Sequence, residues 1–204
     1  MQYMTGPKGE RRLQSFEFVI PVVVGTAAYY LGKKATEYHS HKWTLYVRSV
    51  NGEDMTHLLS KVVFQLHPSF DNPMREYTHP PYELTETGWG EFEIAVLLHF
   101  TDDAFEEPVE LYHKLKLYGE DDPSGQAISK KPVVSETYEE LVFHEPAEGF
   151  YQRVANHMPI PAPAMSQAQW FTAFNQQDDL RKLTAARQRV AGMTASVQRQ
   201  LEAA

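Results

Sequence analysis

Between Phe18 and Phe143 apolar and polar residues alternate with a period of two. In residues 43–50, WTLYVRSV, the side chains of Trp43, Leu45 and Val47 fall on one side and Thr44, Tyr46 and Arg48 on the other. Residues 58–66 place Leu58, Val62, Phe64 and Leu66 together, and residues 92–100 do the same with Phe92, Ile94, Val96, Leu98 and Phe100. In residues 109–118, Val109, Leu111, Leu115 and Leu117 share a face, with His113 among them. Each run has the signature of a half-buried strand in an antiparallel sheet. VVSETYEELVF, residues 133–143, supplies a last strand.

Turn signals separate these runs: Asn51-Gly52, the stretch from Pro68 to Pro81, Gly88 and Gly90, and Asp121 to Gly125. No long helical period intervenes, so crossover helices and a parallel sheet are not expected. The spacing predicts an all-β domain, an immunoglobulin-like antiparallel β-sandwich. Residues 1–15 read as a flexible N-terminus, 16–146 as the sandwich, and 147–165 as a linker, with prolines at 159, 161 and 163 and a short helical turn near 150–157. Residues 166–204 read as a C-terminal helix opened by Ser166, with Gln169 completing a capping box. Along it Leu183, Val190 and Val197 recur every seven residues, which fits either a short coiled coil or a solvated amphipathic helix. Trp170, Phe171 and Phe174 give this helix an aromatic surface suited to docking a partner.

Composition narrows the function classes. The chain has 204 residues and no cysteine, which removes disulfide frameworks and thiolate metal sites and fits a reducing compartment. The opening MQYMTGPKGERRLQ lacks an apolar stretch, so no secretory signal is expected, and FVIPVVVG is too short to span a membrane. With 27 acidic against 19 basic residues the net charge is −8, which disfavours direct nucleic-acid binding and suits either plain solubility or a basic partner.

Candidate chemistry is sparse for an enzyme. Ser69 lies two residues from His67, but there is no G-x-S-x-G elbow, and neither an orienting group nor an oxyanion hole can be located. His39 and His41 have the spacing to point the same way on a strand, yet a third ligand at recognisable spacing is missing, so no metal site is expected. Gly88 and Gly90 precede a strand rather than a helix, so they make no phosphate loop. What remains is a pair of loops. HPSF carries His67, Ser69 and Phe70; TGWGEF carries Gly88, Trp89, Gly90 and Phe92. Two aromatic faces with short polar groups suit a flat neutral group such as an amide, and the glycines let backbone approach it. The competing reading puts Phe92 in the core and makes Trp89 a cap on the sheet end. Glu91, the nearest acid, should be turned away from Phe92 by strand alternation, so the walls are read as free of carboxylates.

The segments HKWTLYV, LHPSF, PPYE and TGWGEF, in this order, resemble the YEATS domain, a family of immunoglobulin-fold readers of acylated lysine on histone tails. The resemblance runs over roughly residues 18–146. The form GWGEF and the segment PVVSETYEELVF resemble the small nuclear YEATS subunits shared by histone-variant-exchange remodellers and histone acetyltransferase complexes. The resemblance implies a nuclear, non-enzymatic reader of acetyl- or crotonyl-lysine on histone H3 tails, without cofactor, joined to its complex through the C-terminal helix. The family roles it implies make Phe70 and Trp89 the two walls and Ser69 the hydroxyl partner of the acyl amide. They make the Trp89 backbone N–H the donor to its carbonyl, His67 and Phe92 pocket supports, His39 a pocket-lining histidine, and Gly88 and Gly90 the glycines that let the loop close. Phe70 departs from the tyrosine expected in some members of the subgroup. An alternative is a structural subunit or histone chaperone whose pocket is unused. The acidic stretch DDAFEEPVE, residues 102–110, suits steering of basic tails.

Overall fold

A computed structural model of the chain describes residues 2–119, 131–172 and 176–202. Within them, residues 2–171 form one unit and the C-terminal helix belongs to another. The Asp121–Gly125 turn and Phe174 lie outside the described residues.

The first unit is a sandwich of two four-stranded antiparallel sheets. One has the order β10-β3-β4-β7, built from β3 (Glu17–Tyr30), β4 (His41–Ser49), β7 (Glu83–Gly88) and β10 (Val133–His144). The other has the order β6-β5-β8-β9, from β5 (Leu59–Gln65), β6 (Met74–Tyr77), β8 (Glu93–Phe100) and β9 (Val109–Lys114). The alternating apolar positions meet between the sheets: Val22, Val24, Trp43, Leu45 and Val47 from the first pack with Val62, Phe64, Ile94, Val96 and Leu98 from the second. Pro21 does not interrupt the pairing with β4, which starts only at Val22 opposite Ser49.

The opposite face of β4 corrects the simple inside–outside reading, since Thr44, Tyr46 and Arg48 are buried as well. What covers them is the segment read as a linker and helix start. After β10, helix α1 (Glu148–Ala155) buries Phe150 and Val154, and the chain then returns along the sheet. The Asp54 N–H donates to the Ile160 carbonyl at 2.7 Å and the Ala162 N–H to that of Gly52 at 2.9 Å. Ser166 caps no helix; its hydroxyl donates to the Glu83 carboxylate at 3.2 Å. Phe171 lies against Tyr46 with ring centroids 4.6 Å apart and under the Arg48 guanidinium at 4.7 Å. The proposed aromatic docking surface is therefore spent in part on the domain itself. Helix α2 (Gln176–Glu202) does not begin at Ser166, since residues 171 and 172 are not helical, and on it Leu183, Val190 and Val197 are exposed.

The N-terminus is not a loose tail. β1 (Gln2–Thr5) and β2 (Arg11–Gln14) form an antiparallel hairpin. Leu13 is only 2% exposed, and Arg12 reaches the Glu106 carboxylate at 2.9 Å and the Glu145 carbonyl at 3.1 Å.

One glycine shows how closely the outer face is fitted. A Cβ at Gly25 would fall 2.6 Å from the Tyr46 ring, far inside contact distance. Gly25→Ala is expected to destabilise the domain by about 1–3 kcal/mol through overpacking, read as a lower midpoint in chemical denaturation; an unchanged midpoint would show that the ring has room to move.

Candidate functional site

The two loops are placed by the strands that end in them. β5 passes into residues 67–73, where the Leu66 N–H donates to the Pro73 carbonyl at 2.8 Å and the Phe70 N–H to that of His67 at 3.0 Å. β7 ends at Gly88, paired with His41 of β4, and the Gly88 carbonyl accepts from the Ser40 N–H at 3.2 Å and the Ser40 hydroxyl at 3.3 Å. β5 and β7 belong to different sheets, and the loops that follow them come together at one end of the sandwich, where both line one groove.

Between them lies a groove of about 650 Å³. His39, His67, Ser69, Phe70, Gly88, Trp89, Gly90 and Phe92 all line it, so the residues singled out in the sequence converge on one place. Trp89 is 61% exposed and does not cap the core. Phe92 does pack against the core: its ring centroid is 5.7 Å from that of Phe70 and 6.0 Å from that of Trp43. Trp43 also meets Phe70 edge to face at 5.9 Å. It is a support that the sequence reading assigned only to the core, since alternation marks it as buried and says nothing of which end of the sheet it underlies. Gly88 and Gly90 both avoid positive φ, so neither is needed for an unusual backbone turn. A Cβ at Gly90 would meet nothing within 4 Å, and one at Gly88 would lie in ordinary contact with Trp43 Nε1 at 3.5 Å and Phe70 at 3.8 Å.

The polar groups are oriented by their partners. The Ser69 N–H donates to His67 Nδ1 at 3.2 Å, and the Ser69 hydroxyl lies 2.8 Å from the same nitrogen. A backbone N–H can only donate, so the network assigns Nδ1 as the acceptor. The hydroxyl hydrogen then points at His67, and the lone pairs of Ser69 Oγ are left to accept from a ligand N–H. His39 is exposed, its Nδ1 2.8 Å from the Thr87 hydroxyl. His41 diverges from it: it is buried, 2.9 Å from the Ser40 hydroxyl and edge-on to Tyr118 at 5.1 Å. Burial holds its imidazole below the usual range, with Glu91 opposing. The pair thus does not share a direction, because His39 precedes the strand that fixes His41.

The walls are not free of carboxylates. Asp71, Glu86 and Glu91 line the groove with Arg75. Two of the three are already engaged: Glu91 accepts from the Leu117 N–H at 2.8 Å, and Glu86 accepts from Arg75 at 2.9 Å. These are non-local pairings between residues whose types are ordinary for a surface, so no local pattern announces them.

Comparison with known proteins agrees with this architecture. Residues 38–119 match the family model of the YEATS family. Transcription initiation factor TFIID subunit 14b of Arabidopsis thaliana is 45% identical over 94% of this chain and 81% of its own length. Protein AF-9 homolog of Eremothecium gossypii is 40% identical over 72% of this chain and 73% of its own. Among solved structures, the Yaf9 YEATS domain bound to H3K27ac aligns with a TM-score of 0.62 at 35% identity, covering 72% of this chain and 99% of that one. The Yaf9 YEATS domain recognizing an H3K122suc peptide aligns with a TM-score of 0.60, also at 35% identity, over 72% and 98%. A two-sheet sandwich with these loops at one end, and 45% identity to a relative over nearly the whole sequence, place the chain in the YEATS family.

Proposed function

We propose that the chain is a non-enzymatic reader of acyl-lysine on histone H3 tails, working in the nucleus as a subunit of chromatin-remodelling or histone acetyltransferase complexes. The observation that carries this reading is the committed Ser69 hydroxyl beside an exposed Trp89. With its hydrogen given to His67, Ser69 Oγ accepts the N–H of an acyl amide, and Phe70 and Trp89 supply flat apolar faces for the amide plane. The Trp89 backbone N–H is the proposed donor to the acyl carbonyl. Both polar ends of the amide are thereby satisfied on leaving water. An unmodified ammonium, by contrast, loses its hydration in a groove where Glu86 is already paired with Arg75 and the remaining carboxylates are those of Asp71 and Glu91. The related Yaf9 domain binds acetylated and succinylated H3 peptides, which supports an acyl ligand of either charge type.

A peptide loses conformational freedom on docking, so the expected dissociation constant is micromolar or weaker, roughly −8 kcal/mol at best. Trp89→Ala is expected to weaken an acetylated H3 peptide by about 2 kcal/mol, or about 30-fold, as loss of an exposed aromatic anchor does. Calorimetric titration of acetylated, crotonylated and unmodified H3 peptides against wild type and W89A tests the reading. Equal affinity for modified and unmodified peptides would overturn it, and histone binding untouched by W89A would instead favour a structural subunit with an idle pocket.

A further inference from the structure

We propose that Arg75 is a positioning and specificity residue of this groove, tying the Phe70 loop to the Trp89 strand and neutralising Glu86 so that the site prefers a neutral acyl amide over an ammonium. The proposal rests on the acyl-lysine reading given above.

Arg75 sits on β6, the edge strand of one sheet, and Glu86 on β7, the edge strand of the other. These strands share no ladder, so nothing in the backbone pairing fixes the separation of the two loops they serve. The guanidinium supplies that link. Its Nη2 donates to Glu86 Oε1 at 2.9 Å and to the Asp71 carbonyl at 2.7 Å, while Nε donates to the Asn72 carbonyl at 2.5 Å. Asp71 and Asn72 directly follow Phe70, and Asn72 takes a left-handed φ of 50°, which turns the chain back toward β6. Glu86 stands two residues before Gly88 and three before Trp89. One side chain therefore grips the backbone beneath one aromatic wall and the strand that carries the other.

The same contact lowers the negative charge of the groove by pairing one of its carboxylates. Glu86, Asp71 and Glu91 are the carboxylates lining it, and Arg75 is the cation facing them there. Glu91 keeps its charge while accepting from the Leu117 and Tyr118 N–H groups, the Asp71 carboxylate also faces the groove, and Glu86 is the carboxylate that Arg75 pairs directly. A planar fork spans two carbonyls and a carboxylate in a fixed geometry; the three donors of a lysine ammonium radiate from one point and do not hold the same spread. Charge and geometry can thus be separated by substitution.

The test uses the full chain and two H3 peptides identical except for one acetylated or free lysine, with binding constants and dissociation rates measured for wild type, Arg75→Lys, Arg75→Gln and Glu86→Gln. Arg75→Lys keeps the charge and loses the fork. It is expected to weaken the acetylated peptide about fivefold, mainly by faster dissociation, while the preference for acetyl over free lysine persists. Arg75→Gln also frees the Glu86 carboxylate. It is expected to weaken the acetylated peptide about tenfold and to strengthen the free-lysine peptide, shrinking the preference, and adding Glu86→Gln to it should restore the preference. Melting temperatures are followed throughout, and Glu86→Gln alone, which changes one exposed-edge carboxylate, serves if Arg75→Gln does not fold: it should weaken the acetylated peptide without raising free-lysine affinity. If wild type prefers the acetylated peptide but all these variants bind it within twofold of wild type, the clamp is overturned and the reader stands. If wild type shows no acyl preference, the reading of the groove falls and the proposal falls with it.

Discussion

Glu136→Ala is expected to lower the unfolding free energy by about 3–5 kcal/mol, the loss typical when one partner is removed from a buried ion pair. Glu136 and Arg48 have side chains only 2% and 6% exposed, on the outer face of the first sheet. Arg48 donates from Nε to Oε1 at 2.9 Å and from Nη2 to Oε2 at 3.1 Å, a two-pronged contact, and the Tyr46 hydroxyl donates to Oε1 at 3.0 Å. Burial, and then the negative charge of Glu136, push the Tyr46 phenol well above its ordinary range, so it stays a donor. Arg48 also donates to the Ser49 carbonyl at 3.2 Å, and its guanidinium covers Phe171. Removing the carboxylate takes the two-pronged acceptor from a buried guanidinium and the acceptor from the Tyr46 hydroxyl. The cost lies in a buried charge deprived of its carboxylate rather than in the pair itself, and this has a second consequence. Arg48→Met combined with Glu136→Leu should recover most of the loss, because an apolar pair of similar volume needs no partner. Urea denaturation of the single and double variants decides it; a double variant as unstable as Glu136→Ala would show that packing, not charge, holds this face.

The same face explains what could and could not be read from the sequence. The inner side of β4, with Trp43, Leu45 and Val47, follows from alternation alone, because a strand's two faces are written into neighbouring residues. Its other side, Thr44, Tyr46 and Arg48, reads as solvent-facing for the same reason. It is buried because Glu136 and Phe171, roughly ninety and a hundred and twenty residues away, come back to cover it. The N-terminal hairpin was hidden similarly: Leu13 is a lone apolar residue in a polar stretch, and its burial depends on contacts near Pro146, where the Leu13 N–H donates to the carbonyl at 3.0 Å. The groove was more legible. HPSF and TGWGEF each compress an aromatic and its small or polar neighbours into a few residues, so the loops carry their own chemistry wherever the fold puts them. Arg75 and Glu86 were not legible, since their meaning arises only when two edge strands of different sheets are brought side by side.

Acidification should destabilise the domain through His113, by about 3 kcal/mol between pH 6.5 and pH 4. This histidine, 2% exposed on β9, crosses the sandwich. Its Nε2 lies 3.2 Å from the Thr26 hydroxyl on β3 and its Nδ1 3.2 Å from the Thr137 hydroxyl on β10. A neutral imidazole has one donor and one acceptor, and two hydroxyls that can each play either part satisfy both. A second proton would turn the acceptor into a donor and place a charge in the core, and burial accordingly pushes the imidazole down to about 4, against a lesser pull from Glu136. Above pH 6.5 the folded and unfolded states are both neutral at this residue, so it imposes no penalty. Below that the unfolded chain takes up a proton that the folded one refuses, and stability falls by about 1.4 kcal/mol per pH unit until the folded-state value is reached. His41, His57 and His99 are also held low by burial and carboxylates titrate further down, so the fall in wild type alone does not isolate His113. The difference from His113→Gln does, because the other groups are common to both proteins and glutamine keeps a donor and an acceptor without titrating. Denaturation at pH 7 and pH 4.5 should show the wild type losing about 2–3 kcal/mol more than the variant; parallel losses would mean that the imidazole is protonated in the folded core after all, with the two threonines accepting from both its nitrogens.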